Sequence, residues 1–414
     1  MILWLIAWRN LWAKPLQNLL TVAVVATALA MTVLVMLVAA SVHYGLVRAT
    51  EPFDLLVGAK GSPNQLVLNT VFLQDAPIGN IDYAIAAELA ASPLVDTAIA
   101  MGFGDNYRGY RLVGTEPALF EHRGKAGQPP WLQIDQGRPF QAPFEAVLGA
   151  KTAKETGLKL GGQFVSSHGV VAGGETHAGH AYTVVGILRP VGGPYDQAIL
   201  TSLQSIWQAH SHEPEPKAQA AVSPADGADD DDDDHDHGAT AVLVKPKGYA
   251  EALRLYQQFQ KDRRAQLVFP SQVVANLFAL LGQGEKALSL IGYSVLAMAL
   301  LLVSFSMYWS SLSRTRDRAI LRAVGASWTD IFWIILAEGV LVVWSGVLAG
   351  VLAGHGLFSL LTALLQQKTG IAFAGPFPLA EAYAVAGALL VGLLAAVIPA
   401  WSVARRSIAE NLEA

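Results

Sequence analysis

The chain has 414 residues, of which 53% are hydrophobic and 15% charged, and a formal net charge of -5. An ordinary soluble domain carries about 25% charged residues, so this balance, with a mean hydropathy of +0.38, disfavours a purely soluble chain and excludes a disordered or a strongly basic nucleic-acid-binding one. Cysteine is absent, which removes disulfides, thiolate zinc sites and cysteine nucleophiles.

In chain order, Arg9 and Lys14 precede a first apolar stretch, Leu19–Ala40, interrupted only by threonines. It exceeds the roughly 7–15 apolar residues of a cleaved signal peptide, so an uncleaved signal anchor is expected. Residues 48–270 then have the texture of an α/β domain. Asp82–Ala91 reads as a short helix with Ile81, Ile85 and Leu89 at helical spacing. Arg111–Thr115, Ala146–Gly149, Tyr182–Leu188 and Ala198–Leu203 read as strands between glycine and proline turns. Residues 210–238 break this texture. They hold the run Asp229–Asp234 and then His235, Asp236 and His237, too polar to fold alone, so a mobile His/Asp-rich loop is expected. Ala241–Val244, Tyr249–Arg264 and Ala265–Phe269 follow as strand, helix and strand, with Leu253, Tyr256 and Phe259 expected on the buried helix face.

Three further apolar stretches complete the chain: between Lys286 and Arg314, from Asp330 to about Leu365, and between Glu381 and Arg405. Each reaches the roughly 20 residues that cross a hydrocarbon core at 1.5 Å per residue. Arg9 and Lys14, the arginines 314–322, and Arg405 with Arg406 fall on one side only if the chain crosses four times with both termini cytoplasmic. The expected fold is therefore an α-helical membrane protein with four transmembrane helices, one then three, plus a large α/β extracytoplasmic domain. Its domains are 1–47 (a cytoplasmic amphipathic helix and the first span), 48–270, and 271–414, with a cytoplasmic segment at 312–330 between spans two and three.

Several segments resemble the permease family of ATP-driven transporters that includes MacB, LolC, LolE and FtsX. Ala7-Trp8-Arg9-Asn10-Leu11 with Lys14-Pro15 is similar to the family's amino-terminal cytoplasmic helix. The stretch from Arg316 to Ser327 resembles the signature R-E-I-G/A-I-L-R-A-x-G-A, with Asp317 in place of Glu and Arg318 in place of an apolar residue. Residues from Pro399 to Arg406, then Glu410-Asn411-Leu412, resemble the carboxyl-terminal P-A-x-x-A-x-R with its trailing E-x-L. In the outer region, 156–163, 182–188 and 195–200 also match the family pattern.

The resemblance implies a type VII mechanotransmission permease in a bacterial inner membrane, without catalysis of its own. No G-x-x-x-x-G-K-[ST] loop is present to cradle nucleotide phosphates, so ATP and magnesium are expected on a separate cytoplasmic ATPase subunit. Other implied partners are a second permease copy, most simply as a homodimer, and a periplasmic substrate or adaptor. The implied coupling residues are Arg314, Arg316, Asp317, Arg318, Arg322, Gly325 and Ser327, with Gly325 ending a short basic helix and Ser327 capping the third span. Topogenic anchoring at lipid headgroups is the competing role for the arginines. The stalk helices would be Ser41–Thr50 and Pro270–Glu285.

Two other features invite function. Glu338 lies about 12 Å along the third span from Asp330, and an ionisable group there is a functional candidate. Its plainer role is a carboxylate facing the bundle interior or reaching back to Arg322. His177, His180, His210, His212, His235, Asp236 and His237 supply imidazole and carboxylate suited to zinc, against the plainer reading of a solvated acidic linker. Two alternatives to a transport subunit therefore stand: an FtsX-like activator of an envelope enzyme, and a membrane-tethered zinc-binding receptor.

Overall fold

The computed structural model describes residues 2–125, 127–169, 174, 176–210, 238–312, 320–369 and 378–404. Residues 1–43, 279–364 and 373–414 group into one compact unit, and residues 44–278 with 365–372 into another.

The first unit is helical. It holds α1 (Ile2–Ala13), most of α2 (Pro15–Thr50) and most of α8 (Pro270–Leu312), together with α9 (Trp328–Thr369) and α10 (Leu379–Ala404). Four of these contain stretches long and apolar enough to cross a membrane: Pro15–Thr50, Ser289–Ser310, Trp328–Leu364 and Leu379–Ser402. Their outward side chains are large and apolar, among them Leu19, Met298, Leu301, Leu352 and Leu390, as lipid-facing positions require. The core between them joins Val25, Leu29 and Val33 of α2 to Leu296, Leu300 and Val303 of α8 and Val343 and Val347 of α9.

Hydrophobicity does not hold such helices together, because lipid is as apolar as leucine; close backbone approach does. Gly346, Gly350 and Gly354 repeat every fourth residue along α9 and face α2. A Cβ at Gly350 would lie 2.8 Å from the Ala26 carbonyl and 2.9 Å from Leu29 Cβ. At Gly346 it would lie 2.8 Å from Val25 Cβ, and at Gly354 3.0 Å from Val33 Cβ. A small polar cluster ties α2 to α8: Gln17 Nε2 donates to Ser306 Oγ at 3.2 Å, and Thr21 Oγ1 lies 3.1 Å from the same hydroxyl.

The second unit is built on a ten-stranded sheet in the order β12-β1-β11-β3-β4-β9-β6-β8-β5, with β7 paired to β3 and β8. Its strands are β1 (Leu55–Gly58), β3 (Val95–Tyr107), β4 (Tyr110–Thr115), β5 (Ile134–Gly137), β6 (Glu145–Leu148), β7 (Gln163–His168), β8 (Thr176–Leu188), β9 (Ile199–Ser202), β11 (Ala241–Pro246) and β12 (Gln266–Val268). A two-stranded sheet pairs β2 (Ile81–Asp82) with β10 (Gly238–Ala239). Side chains alternate along a strand, so adjacent residues serve opposite faces. Leu56 and Leu243 join the core with Phe53, Phe140 and Tyr195, whereas Leu55, Val57, Val242 and Val244 join the core under α4 (Tyr83–Ala91) and α7 (Tyr249–Lys261).

The expected strand–helix–strand exists as β11, α7 and β12, but β1 lies between the two strands and pairs antiparallel with both. Two expectations need correction. The helix from Tyr249 ends at Lys261 rather than Arg264, because the Asp262 carboxylate accepts the Arg264 backbone N–H at 2.6 Å and Arg264 turns to Glu88 at 3.0 Å. Its fully buried residues are Ala252 and Leu255; Leu253 and Tyr256 are exposed and Phe259 is half-buried. The helix at 82–91 starts one residue late, since Asp82 is its cap and accepts from Ala84 N–H at 2.7 Å.

Candidate functional site

The segment between α8 and α9 is described from residue 320. Residues 320–323 are helical, and the turn ends as a Schellman motif: the Ala326 N–H reaches the Leu321 carbonyl at 3.0 Å and the Gly325 N–H that of Arg322 at 3.0 Å. The motif needs a left-handed residue at its fifth position, and Gly325 supplies it with φ of +108°. Two residues on, Ser327 caps α9. Its hydroxyl accepts from the Asp330 N–H at 3.2 Å, and Asp330 Oδ2 accepts from the Ser327 N–H at 2.9 Å, a reciprocal capping box. The two caps set the entry into α9. Ile320 and Val324, one helical turn apart, stand 56% and 83% exposed beside half-buried Arg322. Arg314, Arg316, Asp317 and Arg318 lie outside the described residues.

Among the intramembrane groups, Glu338 is half-buried and its Oε1 accepts from Asn10 Nδ2 of α1 at 2.5 Å. This joins two sequence-distant polar residues of the same unit. Along α1, Leu5, Trp8 and Trp12 are exposed on the same stretch as Arg9, which suits the membrane interface, where aromatic and basic side chains gather. A second carboxylate escaped the sequence reading. Glu381, expected only to flank the last span, is 8% exposed and pairs with His355 Nε2 of α9 at 2.7 Å. Its legible signal was a histidine inside an apolar stretch.

In the second unit, the carboxyl end of α2 and the first turns of α8 enter the larger core. Leu46 and Ala49 of α2, and Val273, Val274, Leu277 and Phe278 of α8, pack against the cluster of Phe53, Phe120, Phe140 and Tyr195. Polar contacts lock the chain just after α2: His122 Nε2 lies 2.6 Å from the Pro52 carbonyl, and Lys125 pairs with Glu51 at 2.8 Å. Burial depresses the His122 pKa below the ordinary histidine value, against the opposing hydrogen bond to Pro52. Asp54 beside it is pushed up, again by burial. A cleft of about 460 Å³ opens next to this junction, lined by Arg48, Glu51, Trp131, Arg189 and Tyr195 among others.

Of the expected metal ligands, His212, His235, Asp236 and His237 lie outside the described residues, as does the run Asp229–Asp234. The side chain of His177 is likewise outside. His180 stacks on Phe144, ring centres 4.8 Å apart, and His210 ends α6 (Leu203–His210).

Comparison with known families adds a decisive observation: residues 289–411 match the model of the FtsX-like permease C-terminal domain. The capped turn at 320–327 and the last three membrane-length stretches all fall within these residues. No curated protein matches the sequence. Two crystal structures are similar to part of this chain. One is the extracellular domain of the noncanonic ABC-type transporter YknZ from Gram-positive bacteria, at 11% identity and TM-score 0.30, covering 52% of this chain and 98% of that one. The other is the periplasmic region of MacB from Actinobacillus actinomycetemcomitans, at 9% identity and TM-score 0.34, covering 55% and 95%.

Proposed function

We propose that this permease is the membrane subunit of an ATP-binding cassette complex, working as a dimer in a bacterial inner membrane with both termini cytoplasmic. It transmits ATP-driven motion from a separate cytoplasmic ATPase to its periplasmic domain, which exports, extracts or remodels an envelope substrate. The observation that carries this reading is the seating of α2 and α8. The carboxyl end of α2 and the first turns of α8 are built into the outer domain's main core, so a force applied to either helix end acts on that core directly. The capped turn before α9 is the other half of the device. Exposed Ile320 and Val324 with Arg322 form a small apolar and basic knob for a groove on the ATPase, and the two caps hold that knob against α9.

Copurification from native membranes in mild detergent, with ATPase activity assayed on the product, tests the proposal. The wild-type chain brings down an ATPase; Arg322→Glu and Val324→Asp lose it while retaining a normal melting temperature. Retention of the ATPase by both variants contradicts the docking role. A wild-type chain that never carries an ATPase contradicts the whole reading.

A further inference from the structure

Three side chains that no motif links converge in the outer domain: Asp105 on β3, His168 at the end of β7 and His210 in the last turn of α6. Their ligating atoms lie close together. His210 Nε2 is 3.2 Å from Asp105 Oδ1, His168 Nδ1 is 3.3 Å from His210 Nε2, and His168 Nδ1 is 3.7 Å from Asp105 Oδ1. A tetrahedral ion with bonds of about 2.0–2.2 Å separates its ligands by about 3.3–3.6 Å. The triangle thus has the dimensions of one face of a zinc tetrahedron.

The fold aims these atoms. Asp105 and His168 are direct cross-strand partners in the β3–β7 pairing, so their side chains share one face of the sheet. The β3–β4 register shifts between Phe103 and Asn106, a bulge of the kind that redirects a side chain. Next to the pair, buried Asn106 donates to the carbonyls of Ser167 at 3.3 Å and Gly169 at 3.0 Å and accepts from the Gly109 N–H at 3.0 Å. Both strands are therefore fixed beside the ligands.

Two of the three ligands are also oriented from behind. His210 Nδ1 lies 2.8 Å from the Ile206 carbonyl. A carbonyl only accepts, so Nδ1 carries the proton and Nε2 of the neutral ring presents its lone pair to Asp105 and His168. Asp105 Oδ2 accepts from the buried Ser166 hydroxyl at 3.3 Å, leaving Oδ1 to the histidines. Such outer contacts are what set ligand direction in metal sites. Asp105 is fully buried, whereas the side chains of His168 and His210 are 51% and 30% exposed. A buried carboxylate needs compensating positive charge, and the exposed imidazole edge gives an ion its way in and a fourth position for water.

We infer that Asp105, His168 and His210 form a binding site for a zinc-class divalent cation, which fastens the end of α6 to β3 and β7. Imidazole nitrogen with a single carboxylate favours zinc and its first-row neighbours over magnesium or calcium. The competing occupant of the same triangle is a proton, as an imidazolium paired to Asp105.

The test uses the full chain in detergent, stripped of metal by a chelator. Zinc is titrated against a chromophoric competitor, and Co2+ is added separately as a spectroscopic probe of tetrahedral N/O coordination. One tight equivalent per chain is expected in the wild type and in the triple variant His212→Ala/His235→Ala/His237→Ala. That equivalent and the cobalt bands disappear in Asp105→Asn, His210→Ala and His168→Gln, and Ser166→Ala weakens binding about 10–100-fold. Exposed His168 can change without disturbing the core, so it decides the matter if Asp105→Asn fails to fold. The site is overturned by a wild type that binds no zinc, by unchanged binding in His168→Gln, or by loss of all tight binding in the triple variant.

Discussion

The two units of this protein solve packing in opposite ways. In the outer domain, the largest fully buried side chains are Tyr182, Tyr195, Phe53 and Phe140, and removal of that apolar area from water drives the fold. In the membrane unit, glycines of α9 allow close approach to α2, because in lipid only tight van der Waals approach distinguishes a helix neighbour from an acyl chain. A large residue is therefore the stabilising element in one unit and the disruptive one in the other.

Substitutions in the two units should diverge accordingly. Tyr195 is 1% exposed, and its hydroxyl donates to the Thr70 carbonyl at 2.9 Å. Tyr195→Ala should destabilise the outer domain by about 3–5 kcal/mol, and Tyr195→Phe by about 1 kcal/mol for the lost hydrogen bond. Urea titration of the detergent-solubilised chain, followed by near-ultraviolet circular dichroism, measures both. In the membrane unit the sign reverses with size. Gly350→Leu should cost about 1–3 kcal/mol or abolish folding, whereas Gly356→Leu on the same helix, with nothing within 4 Å of its Cβ position, should be tolerated. Melting temperature and folded yield in detergent separate the two, and equal tolerance would break the contrast. Ser327→Ala removes a cap worth about 1 kcal/mol and should lower the melting temperature slightly, with a larger loss of ATPase association.

Proton linkage should also differ between sites in the outer domain. Because burial lowers the His122 pKa, the unfolded chain takes up this proton more readily than the fold. Stability is then full above the ordinary value near 6.5 and falls as pH drops through it. Asp54, Lys245 and Asp96 share that field, so His122→Gln should flatten the slope between pH 7 and 5 rather than abolish it. The smallest effect is at Glu145. The Arg138 hydrogen bond, helped by the Gln141 and Ala142 amides, holds its pKa at about 2. Its contribution is present above the ordinary value of 4.5 and is lost between there and about 2. Arg138→Ala should erase it in an acid titration of the melting temperature.

What the sequence made legible follows the same divide. Membrane spans announce themselves by length and hydropathy, and the turn before α9 by a glycine and a serine whose cap chemistry is local. Strands flanked by turns, such as Tyr110–Thr115 and Glu145–Leu148, were also readable. By contrast, β1 and β3 were missed, since a strand buried on both faces shows no alternation. The polar pairs were missed for another reason. Asn10 with Glu338, His355 with Glu381, and the triangle of Asp105, His168 and His210 are assembled by tertiary contacts. No spacing encodes a ligand pair that stands 42 residues apart in the chain, as His168 and His210 do.

We propose that ATP-driven motion reaches the outer domain through α2 and α8. The chain has no cysteine, so Ala275→Cys, at an exposed position on α8, gives a single spin-label site per copy. The direct measurement is the distance between these labels in the two copies of the reconstituted complex, by double electron–electron resonance, with and without ATP trapped on the ATPase. The account predicts a nucleotide-dependent shift in that distance. An unchanged distance distribution, in a complex that demonstrably turns over ATP, would contradict it.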